Sequence, residues 1–598
     1  MGKSQKLRSE IDEKYKWDLS PIYKCDEDWY KDLKIVSKEV EKVSNYKGKI
    51  VSSANGLLEY LEFSIEIERK LYKLYYYAHL NFDADTTNDT YQQMHGKIQN
   101  LLARYDELDS FSNPEMMKVN YDTIKQFYND EPKLKEYEFM LEQIYRYKEH
   151  ILDEKSEAIL SAFSKVNSSP EEIYEALTDS DIKFGMIVDE NGEEVELTES
   201  NYSLFLESEN REVRKNAFNQ LLGTYSKYKN TIANTFSGNV EVLTTLSKLK
   251  KFSSSLEASL FGDNVDRKVY DNLIDTVSNN LDTLYKYFDL KKEVLGVSEF
   301  HLYDQYNSLV PECNKKYTFE EARTLVVNAL SVLGDDYVEI LNKAFDERWI
   351  DVYNNKGKRT GAYSSGFYDT NPYILLNYEG KFEDVSTLAH ELGHSMHTYY
   401  SCKNNPYQYS HYRIFVAEVA STVNELLLKF YQLNNTNDIN EKKYIINVLM
   451  NSFKSTIYRQ VMFAEYERDM HALKEKGEIL TSETLSNYYY ELNKKYFGPN
   501  VVVDDVIRYE WERIPHFYYN FYVYKYAIGL SCACYIVNNI LSGQDGALEN
   551  YKKFLKSGGS DYPVNELKLS GIDITKSEVI VSAIKMFDSL IEQFKKIN

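Results

Sequence analysis

The sequence predicts a mainly α-helical protein, and three observations carry that expectation. Its 598 residues include only 24 glycines and 10 prolines, about half the usual share of backbone breakers. Most of the chain repeats apolar residues at helical spacing between short polar connections, the pattern of amphipathic helices. Strand patterning surfaces in only two places, near 182–197 and 361–380. Hydrophobic residues make up 43% of the chain, enough for a large core, so disorder is excluded as the overall state.

The elements follow in chain order. The N-terminus mixes charges without an apolar run and has no signal-peptide pattern. Ser169-Pro170-Glu171-Glu172 combines an N-cap, a proline at the first helical position and a capping-box acid, so a helix should start there. Asp189-Glu190-Asn191-Gly192 supplies a turn that tolerates positive φ inside the hairpin 182–197. The polar stretch 197–208 then marks the expected division between an N-terminal helical region, 1–200, and a larger C-terminal domain, 201–598. In the second β-rich patch, Asp369-Thr370-Asn371-Pro372 reads as a turn and 373–378 as a short strand. The least polar stretch, 527–537, is far shorter than the roughly 20 residues needed to cross a bilayer. Five scattered cysteines (Cys25, Cys313, Cys402, Cys532, Cys534) lack disulfide or zinc-ribbon spacing. A soluble, cytoplasmic protein is expected, with no membrane partner. Its formal net charge of −22 is the wrong sign for holding nucleic acid phosphates and would draw cationic peptides instead.

The most informative segment follows the second patch. A helix opening near 382, with Asp384 as a candidate N-cap, carries His390-Glu391-Leu392-Gly393-His394. Residues at i and i+4 share a face, so His390 and His394 can converge on one cation. Glu391 sits about 100° round the helix and can reach a water beside that cation without ligating it. Composition predicts roughly 0.01 such pentapeptides by chance in a chain of this length. Four of the ten histidines, His390, His394, His397 and His411, also fall within 22 positions.

The apolar helix 415–427 carries Glu418 and Glu425 on one face, where a lone buried carboxylate would be costly unless paired or ligating. Glu418 is the candidate third ligand, and Glu425 would accept a hydrogen bond from a ligating imidazole, although a surface salt bridge fits it equally. His397 shares the ligand face and is the rival third ligand, or else a histidine packed behind the site. Two imidazoles, one carboxylate and an open position describe a catalytic zinc site, one ion per chain, with Mn²⁺ or Co²⁺ as alternatives.

With these residues in place, the chain resembles the M3 metallopeptidases, and within them the oligoendopeptidase F branch. The resemblance rests on Gly361-Ala362-Tyr363, on the strand through Tyr373, Leu375 and Tyr378, and on Thr387-Leu388-Ala389-His390-Glu391-Leu392-Gly393-His394-Ser395-Met396-His397. It continues in Glu418-Val419-Ala420-Ser421-Thr422, Asn424-Glu425 and Ile514-Pro515-His516-Phe517-Tyr518-Tyr519-Asn520-Phe521-Tyr522. Trp17-Asp18-Leu19 and Tyr75-Tyr76-Tyr77-Ala78-His79-Leu80 extend it towards the N-terminus. It implies a mainly helical fold of zincin type whose two halves enclose a deep channel, a small sheet near the site, and endopeptidase action on short, unstructured peptides. Glu391 would serve as general base and then acid. His516 with Tyr519 or Tyr522 would help to hold the oxyanion.

If Pro515 opens a helix, then His516, Tyr519, Tyr522 and Tyr526 form one stripe, with Tyr524 a further candidate. Gly361, Ala362, Tyr363, Tyr373, Leu375 and Tyr526 are the candidate peptide-gripping residues, with the strand 373–378 offering an edge to the substrate backbone. A dipeptidyl carboxypeptidase and an inactive peptide-binding protein are the alternative readings.

Overall fold

The computed structural model describes residues 5–311 and 315–597, which leaves Cys313 and the first four residues outside. Helix covers 71% of the chain, and the sheets of the described residues have only two or three strands each, which places the fold in the mainly helical class. Among the described residues no helix is long and apolar enough to cross a membrane. The four described cysteines are free.

The chain forms two compact units, each assembled from three stretches. The first comprises residues 1–149, 314–432 and 536–571, and the second 150–313, 433–535 and 572–598. The single division expected near residue 200 therefore does not separate them.

In the first unit, three short strands build one sheet: β1 (Ile350–Asp351), β2 (Tyr363–Ser365) and β3 (Tyr373–Leu375). Its order is β1-β3-β2, with β3 parallel to β1 and antiparallel to β2. The expectation that 373–378 presents an edge to substrate is thereby corrected. β3 is the middle strand, both of its edges are paired, and Tyr373 and Leu375 are fully buried. The free edge belongs to β2. Since the backbone N–H of Ile374 donates to Trp349 on the β1 side, alternation along the pair leaves the N–H and C=O of Ser364 turned outward from β2.

Helix α1 (Phe382–Asn404) follows, packed against the sheet and against the helix Ala547–Ser557. Asp384 lies inside this helix rather than capping it. Its carboxylate accepts the N–H groups of Lys381 and Glu379, where a negative charge suits the helix N-terminus. Helix α2 (Ile414–Asn435) crosses α1 at very short range. A Cβ on Gly393 would lie 2.5 Å from the Ser421 Cα and 2.7 Å from the Ala420 carbonyl oxygen, so only glycine admits this crossing. A buried pair of bonds fixes its register: Asn424 donates to the Ala389 carbonyl (3.2 Å) and accepts from the Tyr337 hydroxyl (2.9 Å).

In the second unit, Met186–Val188 and Glu194–Glu196 form the expected hairpin, with Gly192 at φ +85° and Asp189 accepting the N–H groups of Asn191 and Glu193. The helix expected from Ser169 is present as Ser169–Glu175. Ser168 holds the position before it, in helical conformation and without a capping bond, because a short helix, Ser164–Asn167, already leads into it. The aromatic core gathers around Tyr466, whose ring lies 5.0 Å from that of Phe517 and 5.3 Å from that of Tyr489.

Gly393→Ala should lower the chemical-denaturation midpoint by the equivalent of about 1–3 kcal/mol, the range for overpacking where backbone must move. An unchanged midpoint would show that the two helices can separate freely.

Candidate metal centre

Two helices of the first unit build the centre. His390 and His394 project from one face of α1, and Glu418 reaches them from α2. The Nε2 atoms of His390 and His394 are 3.2 Å apart, and the Glu418 carboxylate oxygen lies 3.3 Å from the first and 3.5 Å from the second. Ligands bound at about 2.0–2.2 Å to a tetrahedral centre are separated by about 3.3–3.6 Å, so this triangle has the edge lengths that a zinc-sized cation requires. Donor chemistry agrees with the geometry: two imidazoles and one carboxylate, with no thiolate. The residues present therefore fit a divalent metal.

Glu418 is not buried, as helical packing had suggested, but 48% exposed. Ser421, one turn on, donates to its carboxylate at 3.0 Å and orients it. Glu425 stands against His390 on the side away from the triangle. One of its oxygens lies 2.6 Å from the His390 Nδ1, and the other accepts from Lys429 at 2.6 Å. With Nδ1–H donating to Glu425, the lone pair of His390 stays on Nε2, facing the triangle.

The electrostatics follow from this packing. Burial opposes charge on His390, but Glu418 and Glu425 outweigh it and push the imidazole up to about 10. Hydrogen bonds from His390 and His394 hold Glu418 well below the usual carboxylate range. Burial works against the Glu425 carboxylate too, yet Lys429 and His390 pull it down to about 2. Burial pushes Glu391 upward, opposed by the two imidazoles, and the backbone of Ser364 on β2 supports its charged form. The metal-free cluster thus holds protons where a cation would sit.

His397 is absent from the triangle. It is fully buried, stacked 3.6 Å from the Tyr412 ring at an interplanar angle of 4°, and neither of its nitrogens finds a hydrogen-bond partner. Burial, then the neighbouring His394, push its pKa down to about 3, so it is a neutral core ring. Tyr363, on the free-edge strand, donates to Asp83 at 2.9 Å, and Gly361 accepts from Asn377 at 2.8 Å. Ala362 joins the two and leads into β2.

The His/Tyr segment belongs to the second unit, and its backbone departs from the expected continuous helix. Pro515–Tyr518 is a single 3₁₀ turn, Asn520 and Phe521 take positive φ (+50° and +59°), and a new helix begins at Tyr524. The i+3 stripe therefore does not exist. The rings still gather, with His516 5.5 Å from Tyr519 and 6.1 Å from Tyr526, and Tyr522 5.2 Å from Tyr526. Tyr524 is buried in the core. Lys429 and Gly393 escaped the sequence reading. The signals were available: a lysine four residues after Glu425, and a glycine inside a helix, which costs about 1 kcal/mol unless packing demands it.

Comparison with known proteins gives matches over almost the whole length. Residues 204–586 match the model of peptidase family M3, and residues 115–184 match that of oligopeptidase F. Oligopeptidase PepF of Bacillus subtilis is 44% identical over 99% of this chain and 88% of its own. A crystal structure of a Chlamydophila abortus protein superposes with a TM-score of 0.96 at 38% identity, covering 100% of both chains. Oligoendopeptidase-F from Enterococcus faecium superposes with a TM-score of 0.73 at 33% identity, over 96% of this chain and 99% of its own.

Because His390 keeps its proton to about pH 10 without metal, loading the site must expel it. Apparent zinc affinity should rise about tenfold per pH unit between pH 6 and 9, as read by competition with a chelating dye. A flat profile would contradict the assigned ligand set.

Proposed function

The chain belongs to peptidase family M3, and from that membership together with the His390–His394–Glu418 triangle we propose that it is a zinc-dependent endopeptidase cleaving internal bonds of short oligopeptides. The observation that carries the reading is the buried Glu391 carboxyl standing on the same helix as two converging imidazoles. A protein that merely held peptides would have no use for a base there.

In this reading His390 and His394, through Nε2, and Glu418, through one oxygen, hold the ion. Zinc in that position supplies Lewis acidity toward the scissile carbonyl and a lowered pKa for water. Glu391 takes the proton of the attacking water on a carboxylate oxygen and delivers it to the departing amine nitrogen. Its burial raises its proton affinity, which suits a group that must both accept and release a proton near neutral pH. Glu425 fixes the His390 tautomer, and Lys429 keeps Glu425 ionised.

The free edge of β2 offers an extended peptide the outward C=O of Ser364, while its N–H is directed at the Glu391 carboxylate. Gripping by backbone implies wide tolerance of side chains. His516, Tyr519 and Tyr522 enter the reading as the oxyanion donors that the family resemblance implies. Four free cysteines fit a cytoplasmic protein.

An internally quenched peptide, assayed alongside metal analysis with and without chelator, tests the reading. Glu391→Gln should keep one metal per chain while kcat falls about 10²–10⁴-fold. Retained turnover would remove Glu391 from the proton path. Amidating the peptide's C-terminus should leave kcat/KM unchanged, and loss of cleavage would point instead to a carboxydipeptidase. Tyr522→Phe should lower kcat more than it changes KM. An effect confined to KM would make that hydroxyl a binding group.

A further inference from the structure

In the second unit the helix Ile439–Phe453 runs into the helix Arg459–Glu475 through a π-helical turn, Lys454–Tyr458. Lys454 and Arg459 stand five residues apart. On a regular α-helix that spacing is about 140° of rotation, and the two side chains would diverge. A π turn closes its hydrogen bonds from i to i+5 and so brings positions five apart to one side. Both residues line one small cavity of about 20 Å³, whose remaining wall is mostly apolar, Phe288 and Met462 among it, with Gln305, Tyr458 and Tyr496.

The charge in this wall is unbalanced. Arg459 is neutralised by Glu510 at 2.8 Å, which also accepts the Tyr489 hydroxyl at 2.6 Å. Lys454 is buried, and among the described residues no carboxylate forms a direct ion pair with it, Glu510 and Glu207 acting only from further away. On one side its ammonium lies 4.4 Å from the centroid of the Tyr306 ring, and it also borders the cavity. Lys291, another buried cation nearby, is satisfied by the carbonyl oxygens of Gln305 and Asn307 at 2.9 and 2.6 Å. Burial and the Arg459 charge push the Lys454 pKa down to about 7 against the weaker pull of Glu510 and Glu207, the response of a buried ammonium with no carboxylate in direct contact.

We propose that this cavity is a binding site for a small monovalent anion of the halide class, held by Lys454 with Arg459 beside it. Its volume suits one such ion: a site needs about 10–15 Å³ to admit a water-sized occupant, and a tetrahedral oxyanion is too large. The ion supplies the missing negative charge at Lys454 and ties together the two ends of the π turn. The site is independent of the metal centre and of the peptidase reading.

Crystals of the full chain soaked in sodium bromide provide the direct test. Anomalous density should appear in the cavity, in contact with the Lys454 Nζ, and a water molecule there at high bromide would overturn the proposal. Thermal unfolding gives a second measurement. At constant ionic strength, chloride or bromide should raise Tm by about 1–3 °C over gluconate, saturably. Lys454→Met, which keeps the length of the side chain without its charge, should abolish the difference. Equal Tm in all three salts, or full halide dependence in the variant, would refute the assignment. If the variant does not fold, the bromide density in the wild-type protein decides alone.

Discussion

At Gly393 the backbone of α1 comes into direct contact with the backbone of α2 at Ala420 and Ser421, and the metal centre depends on that closeness. Glu418 lies one turn before Ser421, and its short side chain must meet two imidazoles borne by the other helix. With any larger residue at 393 the helices would stand further apart and the 3.2–3.5 Å triangle would open. The Tyr337–Asn424–Ala389 bonds complete the constraint by stopping α2 from sliding along α1. Spacing and register, set by groups that never touch a substrate, determine where three donor atoms meet.

Three glutamates around that crossing show how environment divides roles among identical side chains. Glu418 is half-exposed and held ionised by the imidazoles, which is what a ligand requires. Glu425 is enclosed between Lys429 and His390 and stays charged because both neighbours favour it. At Glu391 burial outweighs the two imidazoles and the Ser364 backbone, and raises its proton affinity. A low-dielectric setting penalises an unpaired carboxylate and rewards a paired one, so small differences in contact set apart the proposed ligand, orienting acceptor and base.

Much of this was legible in the sequence where the information was local. The helical class followed from the scarcity of breakers, the 182–197 hairpin from its turn residues, and the convergence of His390 with His394 from the helical repeat alone. Glu418 could be singled out as an acid on an apolar helix, but its exposure could not, because that depends on a helix crossing decided by Gly393. The strand at 373–378 was visible as a strand. Its central place in the sheet was not, since β1 contributes only two residues and carries no pattern of its own. The His/Tyr stripe failed for a sharper reason. Asn520 and Phe521 adopt left-handed backbone without glycine, a conformation that tertiary contacts impose: Phe521 is buried, and its N–H donates to Glu467 at 2.7 Å.

The first unit is drawn from the beginning, the middle and the end of the chain. The helix Ala547–Ser557, which walls α1, begins about 130 residues after Glu418, the last of the three donor groups. During synthesis the donors and the α1–α2 crossing therefore leave the ribosome before the helix that walls α1. A nascent chain halted between the two carries the donors and the Gly393 crossing, but α1 lacks the side that Ala547–Ser557 covers. Completion of the wall beside α1 is thus a late event in synthesis, set by the order of segments.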